Sequence, residues 1–381
     1  MTIQNRKDLR AVYRRTSRRQ FANCIRCHKD CVEHQECAPF FGIFLRNRVY
    51  PLSTKNVKDE NKMNFLKQRG QVYNRRMSVT TYKLTHNRIL EFSSSRAFSL
   101  DEMTRALPPG FYTTFTTLNG GTRALGLRSH LDRLYIPAGR MNLHPVSEGT
   151  LRKHLAGLVK QNLPRESRVR LILTKDSGDI FIAVQPFIPL PETVYKSGAH
   201  VVTTEMARHD PRIKDTNFIS ESLTQRKQIQ GDIFEVLLAK NGKILEGLTS
   251  NFYAVKHVIA RKSEATTKQS SGRQEIASRH SSATRNDMAS LITARHGILP
   301  GVTRRVVLRL ARGEGMSIEY RAPGLGERFD EAFLTSSSRG IVPIVMIDGK
   351  SVGEGEVGAW TKFLRKAYQA YIEERSERIA E

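Results

Sequence analysis

From Met77 onward the chain interleaves short runs of β-branched and aromatic residues with stretches of helical period. That alternation restricts it to folds that pack helices against sheets. Thr80 to Leu84, Arg88 to Phe92 and Gly110 to Leu118 read as strands, the last ending in an Asn119-Gly120 turn. Ser129 to Ala138 and Leu151 to Leu163 read as amphipathic helices, with Leu131 and Leu134 on one face of the first. Arg168 to Thr174 and Asp179 to Val184 are again β-rich. Pro186, Pro189 and Pro191 then space out a connector. It marks the expected boundary between a small domain at 77–188 and a large one at 195–381. The second half reads as a strand (His200 to Thr204), a polar loop (Arg208 to Asn217), a helix (Phe218 to Ile229) and a hairpin-like β unit over 233–255. A helix over Gly301 to Gly313, strands at Phe333 to Thr335 and Ile341 to Ile347, and an amphipathic helix at Trp360 to Glu374 complete the pattern.

Two segments depart from it. Residues 1–76 show no sustained period, and 259–292 are poor in apolar residues and rich in Ser, Thr, Gln and Arg. The first reads as a basic, poorly ordered extension and the second as a low-complexity surface insertion. They also explain the charge. The chain carries +25, the signature of a nucleic-acid binder. Yet residues 1–76 hold eighteen Lys or Arg against six acids, and 256–296 hold eight against three. The other 264 residues carry only +8, so no nucleic-acid partner is expected of the folded body.

No run approaches the eighteen apolar residues of a membrane span. The opening segment has no uninterrupted apolar core, so no secretory signal is expected and the cytoplasm is the expected location. Nine basic residues and one acid in the first twenty-nine leave organellar targeting open. Cys24, Cys27, Cys31 and Cys37 lie within fourteen residues. Cys24-x-x-Cys27-His28 is compatible with a small zinc site, with the haem-attachment motif, or with an extension that the folded body does not need. No metal is assigned to the body of the chain.

Four islands far apart in the sequence share one chemical logic: a phosphorylated, electron-withdrawing ring bound at a lysine. Lys214 sits in Asp-Pro-Arg-Ile-Lys-Asp-Thr-Asn, a polar loop with a helix behind it. Glu246 sits in Ile-Leu-Glu-Gly-Leu-Thr-Ser-Asn, and Arg133 in His-Leu-Asp-Arg-Leu. Gly297 to Arg304, Gly-Ile-Leu-Pro-Gly-Val-Thr-Arg, leads into a helix whose free N–H groups suit a phosphate. Taken singly, each has an ordinary reading: a solvated lysine, an exposed turn acid, a helix-surface arginine paired with Asp132 or Glu148, a helix start after proline.

In this order, and followed by Thr-Ser-Ser-Ser, the motifs resemble the fold-type IV pyridoxal-phosphate enzymes, the class IV aminotransferases. That family includes branched-chain and D-amino acid aminotransferases and aminodeoxychorismate lyases. The resemblance runs from about Thr80 to Tyr371, interrupted by the insertion. It implies an α/β fold of two domains, like that of D-amino acid aminotransferase, with pyridoxal 5'-phosphate in the cleft between them. It implies a homodimer. By position, Lys214 matches the Schiff-base lysine, which also shuttles the substrate's α-proton. Glu246 matches the carboxylate that keeps the pyridine nitrogen protonated. Arg133, Val302, Thr303 and Ser337 match the residues that hold the phosphate. Tyr112 matches a pocket-lining aromatic, while Ser338 and Arg339 fall on the loop that faces the substrate.

The implied activity is transfer of an amino group from an amino acid to a 2-oxo acid. Thr113 replaces an acid usual in the branched-chain and D-amino acid members, and Gly-x-x-Thr-Thr is nearer the lyase branch. Carbon–oxygen lyase chemistry on an aminodeoxychorismate-like substrate is therefore the alternative. An inactive enzyme-like body with a metal- or nucleic-acid-binding tail is the alternative from another class.

Overall fold

A computed structural model describes residues 79–85, 88–92, 99–258 and 288–380, all within a compact unit spanning Lys62–Glu381. The expected extension at 1–76, with its cysteines, and residues 259–287 lie outside the described residues.

The first sheet contains β1 (Thr80–Leu84), β2 (Ile89–Glu91), β3 (Gly110–Leu118), β4 (Arg123–Ala124), β5 (Ser167–Thr174) and β6 (Ile180–Pro186). Its central pair, β3 and β5, runs antiparallel with Tyr112 opposite Ile172 and Thr114 opposite Arg170. Alternation along these strands gives the sheet two different faces. Phe111, Phe115, Val169, Leu171 and Leu173 share a core with Leu131, Leu134, Leu151 and Leu155. Those leucines belong to two helices, α2 (Leu127–Arg140) and α3 (Glu148–Val159), which follow the short α1 (Leu100–Arg105). Tyr112, Thr114 and Arg170 alternate with this core set and line a cleft instead.

The connector leads into α4 (Glu192–Ser197), a helix that the proline spacing gave no reason to expect. The expected helix over Phe218 to Ile229 is two shorter ones, α5 (Asn217–Glu221) and α6 (Leu223–Arg226). The break falls at Ser222, whose hydroxyl donates to the Phe218 carbonyl and accepts from Arg226 Nε. A serine side chain that competes for a backbone carbonyl weakens the helix at that turn.

The second sheet contains β7 (Ala199–Glu205), β8 (Ile233–Lys240), β9 (Lys243–Gly247), β10 (Asn251–Val258), β11 (Met288–Thr293), β12 (Ser317–Tyr320), β13 (Glu331–Ser336), β14 (Gly340–Ile347) and β15 (Lys350–Ser351). Its order is β12-β11-β10-β13-β14-β7-β8-β9, with β15 beside β14. One further pairing, Asn251 with Glu246, joins β10 back to β9, so six strands close into a ring. That closure sets a carboxylate and a carboxamide side by side.

The insertion expected over 259–292 is corrected at its far end. Residues 288–292 belong to β11, which pairs with β10 and β12, and Leu291 and Ile292 are fully buried. The polar composition of the longer window hid a six-residue apolar strand.

Two helices cover the ring. In α7 (Val302–Gly313) the buried residues include Val302, Val306, Val307 and Ala311, whereas Arg305, Arg309 and Arg312 are on the opposite, solvated face. In α8 (Ala359–Arg375), Thr361, Leu364 and Tyr368 face the core. After α8 the chain returns to the first sheet as β16 (Glu377–Arg378), paired with β4, and Ile379 is fully buried among the α2 and α3 leucines. Two residues of strand carry no pattern that a sequence reading could use.

Candidate active site

The cleft, counted with the solvent space at its mouth, spans about 760 Å³. Its lining contains all nine residues singled out in the sequence: Tyr112, Arg133, Lys214, Glu246, Val302, Thr303, Ser337, Ser338 and Arg339. They come from both sheets, two helices and two loops, and span more than two hundred residues of the chain.

Lys214 lies on a loop that docks against the start of β3. The Tyr112 N–H donates to the Lys214 carbonyl at 2.9 Å, the Thr216 N–H donates to the Gly110 carbonyl, and the Gly110 N–H donates to Thr216 Oγ1 at 2.8 Å. The loop is thereby held as an added strand edge, and the Lys214 amine lies over the Tyr112 ring, 4.7 Å from its centroid. Burial holds the amine well below the ordinary lysine pKa, and Arg133, Arg208 and Arg170 lower it further. A neutral amine is the form that can act as nucleophile and base.

Glu246 is 1% exposed. Its Oε1 accepts from Arg208 Nε at 2.6 Å, and its Oε2 accepts from the Leu299 N–H at 2.9 Å and from Asn251 Nδ2 at 3.3 Å. A carboxylate offers about four acceptor positions, so room for one more donor remains. Burial raises its pKa, with Arg208 and the Leu299 N–H working against that rise.

Arg133 donates from Nη2 to the Pro300 carbonyl at 2.7 Å. Burial and then the Arg305 charge bring its pKa down to about 10. Asp132 and Glu148, the partners offered by its ordinary reading, are both paired with Arg128. Pro300 leads into the N-terminus of α7, whose cap is Gly301 with no side-chain hydrogen bond. A Cβ on Gly301 would stand 2.1 Å from Asn251 Oδ1, so only glycine lets the helix start this close to the Glu246 cluster. Gly126, the N-cap of α2, has a left-handed φ of +59° and lies against Val302, so both backbone and space favour glycine there.

Arg339 lies in the cleft lining, but its guanidinium is already bonded within the chain. Its Nη2 donates to Glu235 Oε2 at 2.7 Å and to Thr249 Oγ1, and its Nε donates to Ser336 Oγ at 3.2 Å. Glu235 is 1% exposed, so the guanidinium is committed to a buried acid and braces the 336–340 turn.

Sequence reasoning passed over Arg208, Arg168, Arg170, Arg226 and Asp101. Arg208 sits at the start of the polar loop that carries Lys214, and no local pattern tied it to Glu246. Its guanidinium also stacks 3.6 Å from the Phe218 ring centroid and donates to the Leu248 carbonyl. With these residues the lining holds seven basic side chains, six of them arginines, and two carboxylates. Such a site is matched to anionic ligands.

Residues 110–347 match the model of the family described as amino-transferase class IV. The chain belongs to the class IV aminotransferases. It is 25% identical over 305 residues to the D-alanine aminotransferase of Bacillus licheniformis, covering 76% of this chain and 96% of that protein. It is 24% identical to the branched-chain-amino-acid aminotransferase of Pseudomonas aeruginosa, covering 68% of this chain and 82% of the other. Among solved structures, a hypothetical aminotransferase from Mycobacterium tuberculosis in its PLP-bound form superposes with a TM-score of 0.54 at 17% identity, covering 76% of this chain and 98% of that one. The fold is therefore the fold-type IV α/β architecture. The activity is transfer of an amino group between an amino acid and a 2-oxo acid, and the cofactor is pyridoxal 5'-phosphate.

The residues of this class IV aminotransferase fit that cofactor. Among the described residues, Ser250 Oγ and Arg208 Nη1 are buried in the cleft lining without a hydrogen-bond partner. Buried polar atoms of this kind are stable only when a ligand or water satisfies them. The uncapped N-terminus of α7, beside Arg133, offers backbone donors and a positive dipole end to a phosphate. Among the described residues no helix is long and apolar enough to cross a membrane.

Proposed function

We propose that Lys214 is the residue on which this aminotransferase turns. Its Nζ would hold the cofactor covalently and, when released by the amino donor, would serve as the base that takes the proton from the substrate's α-carbon. When bound, pyridoxal phosphate supplies the carbonyl that receives the amine and a ring that withdraws electrons from the α-carbon. Arg133, the first N–H groups of α7 at Val302 and Thr303, the Thr303 hydroxyl and Ser337 hold the phosphate. Glu246, kept in place by Arg208, Asn251 and the Leu299 N–H, holds a proton on the ring nitrogen. Tyr112 and Ser338 bound the substrate side. The observation that carries this reading is the convergence of the nine residues on one cleft around a lysine whose pKa is lowered.

The first sheet with its helices, 77–188, joined by the returning β16, and the ring sheet within 195–381 are read as the small and large domains around the cofactor. A homodimer, which rests on the family resemblance, and a cytoplasmic location are part of the same proposal. The names of the relatives point to D-alanine or branched-chain amino acids as donors. A panel of D- and L-donors with pyruvate and 2-oxoglutarate separates these.

The phosphate site has its own test. Arg133→Ala removes a charge-assisted fork, a loss of roughly 1.5–3 kcal/mol, or about ten- to a hundredfold in affinity. Titrating apoenzyme with pyridoxal phosphate should show that weakening, with maximal turnover at saturating cofactor much less affected. Unchanged affinity would remove Arg133 from the phosphate site.

A further inference from the structure

A second basic site lies behind the start of α7, apart from the cofactor cleft. It is a groove between α7, α8 and the first turn of α2. Counted with the solvent space at its mouth, it spans about 610 Å³. Leu125, Val302, Val306 and the Tyr371 ring supply its apolar lining, and Arg305, Arg309 and Arg375 its positive charge. Val302 is the one residue that lines both the groove and the cleft. The wall between the two sites is therefore a single side chain at the helix start.

The arginines of the groove are held without being neutralised. Arg305 and Arg309 lie one turn apart on α7, about 6 Å along its axis. Arg309 Nη1 donates to Tyr371 Oη at 3.0 Å, and Arg305 Nη2 donates to Ser129 Oγ. Among the described residues both guanidinium groups thus bond neutral hydroxyls, and each keeps further N–H donors. Arg375 Nε meets Glu374 at 3.0 Å, but both side chains are more than 60% exposed, where such a pair is worth little. The lining has one carboxylate, Glu377, which accepts the Arg128 N–H at 3.1 Å. Three guanidinium groups less one carboxylate leave a surplus of two positive charges, the complement of a phosphate dianion.

We propose that this groove is a second phosphate site, for a phosphate monoester whose organic part covers Leu125, Val306 and Tyr371, and that filling it loosens the hold on the cofactor. The link between the sites is electrostatic and short. Arg305 is felt across the Val302 wall at Arg133, where its charge is the main cause, after burial, of the lowered pKa. A dianion in the groove would neutralise Arg305 and set negative charge behind the positive end of α7. The cofactor phosphate on the other side would be held less tightly, and by linkage the cofactor would weaken the groove ligand equally. The existence of the groove site does not depend on the cofactor assignment. Its effect on the cofactor rests on the reading that the start of α7 holds the cofactor phosphate.

The test titrates inorganic phosphate and phenyl phosphate into the holoenzyme by calorimetry, at constant ionic strength in chloride. Phenyl phosphate should bind, and more tightly than inorganic phosphate, because its ring covers the apolar lining. Arg309→Gln and Arg375→Gln should each lower its affinity about tenfold, the loss of one charge-assisted contact. Arg312→Gln, on the same solvated face of α7 but outside the groove, should leave it unchanged. Arg309 and Arg375 lie on different helices, so a variant that loses its thermal transition leaves the other to decide. Saturating phenyl phosphate should also speed release of the cofactor into a trap about fivefold, read as loss of visible absorbance. Absence of binding, or binding that both groove variants leave unchanged, overturns the site. Equal losses in all three arginine variants, the mark of diffuse charge, overturn it too. Tighter binding of inorganic phosphate than of phenyl phosphate overturns the monoester as its ligand. Unchanged or slower cofactor release overturns the coupling, while the titrations still decide the groove.

Discussion

Lys214→Ala should abolish amino-group transfer, with turnover reduced by at least about a thousandfold, the scale set by loss of a positioned proton-transfer group. The visible colour that develops when apoenzyme meets pyridoxal phosphate should be lost with it. The reason is local. Burial and three neighbouring arginines lower the pKa of this amine, and the hydrogen bonds from Tyr112 to the Lys214 carbonyl and from Thr216 to the Gly110 carbonyl fix its backbone. Partial rescue by a small external amine would separate loss of the amine from loss of the fold. Turnover at the wild-type rate would move the chemistry to another residue.

Glu246→Gln should act on rate far more than on cofactor affinity. The carboxylate favours a protonated ring nitrogen through its opposite charge, and the amide keeps the shape without that charge. Losing one such preorganised electrostatic partner slows the half-reaction with amino donor by roughly a hundredfold or more. Cofactor affinity, carried by the phosphate site, should change much less. Stopped-flow measurement of the cofactor's spectral change on mixing with donor separates the two. The same substitution leaves the Arg208 guanidinium, only 4% exposed at its side chain, without its ion pair, so the melting temperature should fall as well. A half-reaction at the wild-type rate would mean that Glu246 does not set the ring's protonation.

The parts of this site that could be read in the sequence are those in which one local element and its chemistry coincide. A helix start after Pro300-Gly301, a strand ending in Glu246 and a lysine loop before a helix each leave a run of neighbouring residues. The parts that could not be read depend on charges meeting across the cleft. In Ser-Arg-Val-Arg-Leu the two arginines look like the solvated side of an alternating strand, yet Arg170 is buried against Asp101, sixty-nine residues away. Arg208 likewise looked like one more polar loop residue until the ring closure brought Glu246 beside it. Arg339 does line the cleft, but its partner was missed, because Glu235 lies on a strand that otherwise reads as apolar. In the fold, β11 was lost by averaging over a polar window. The β16 strand is held by Ile379 in a core that forms more than two hundred residues earlier in the chain.

Borohydride reduction of the holoenzyme, followed by proteolysis and mass mapping, tests the central assignment most directly. Reduction fixes the cofactor to whichever amine holds it. The account predicts a pyridoxyl group on the peptide that contains Lys214 and on no other. Attachment at Lys175, which is paired with Asp215 on the same loop, or at any other lysine, would contradict it.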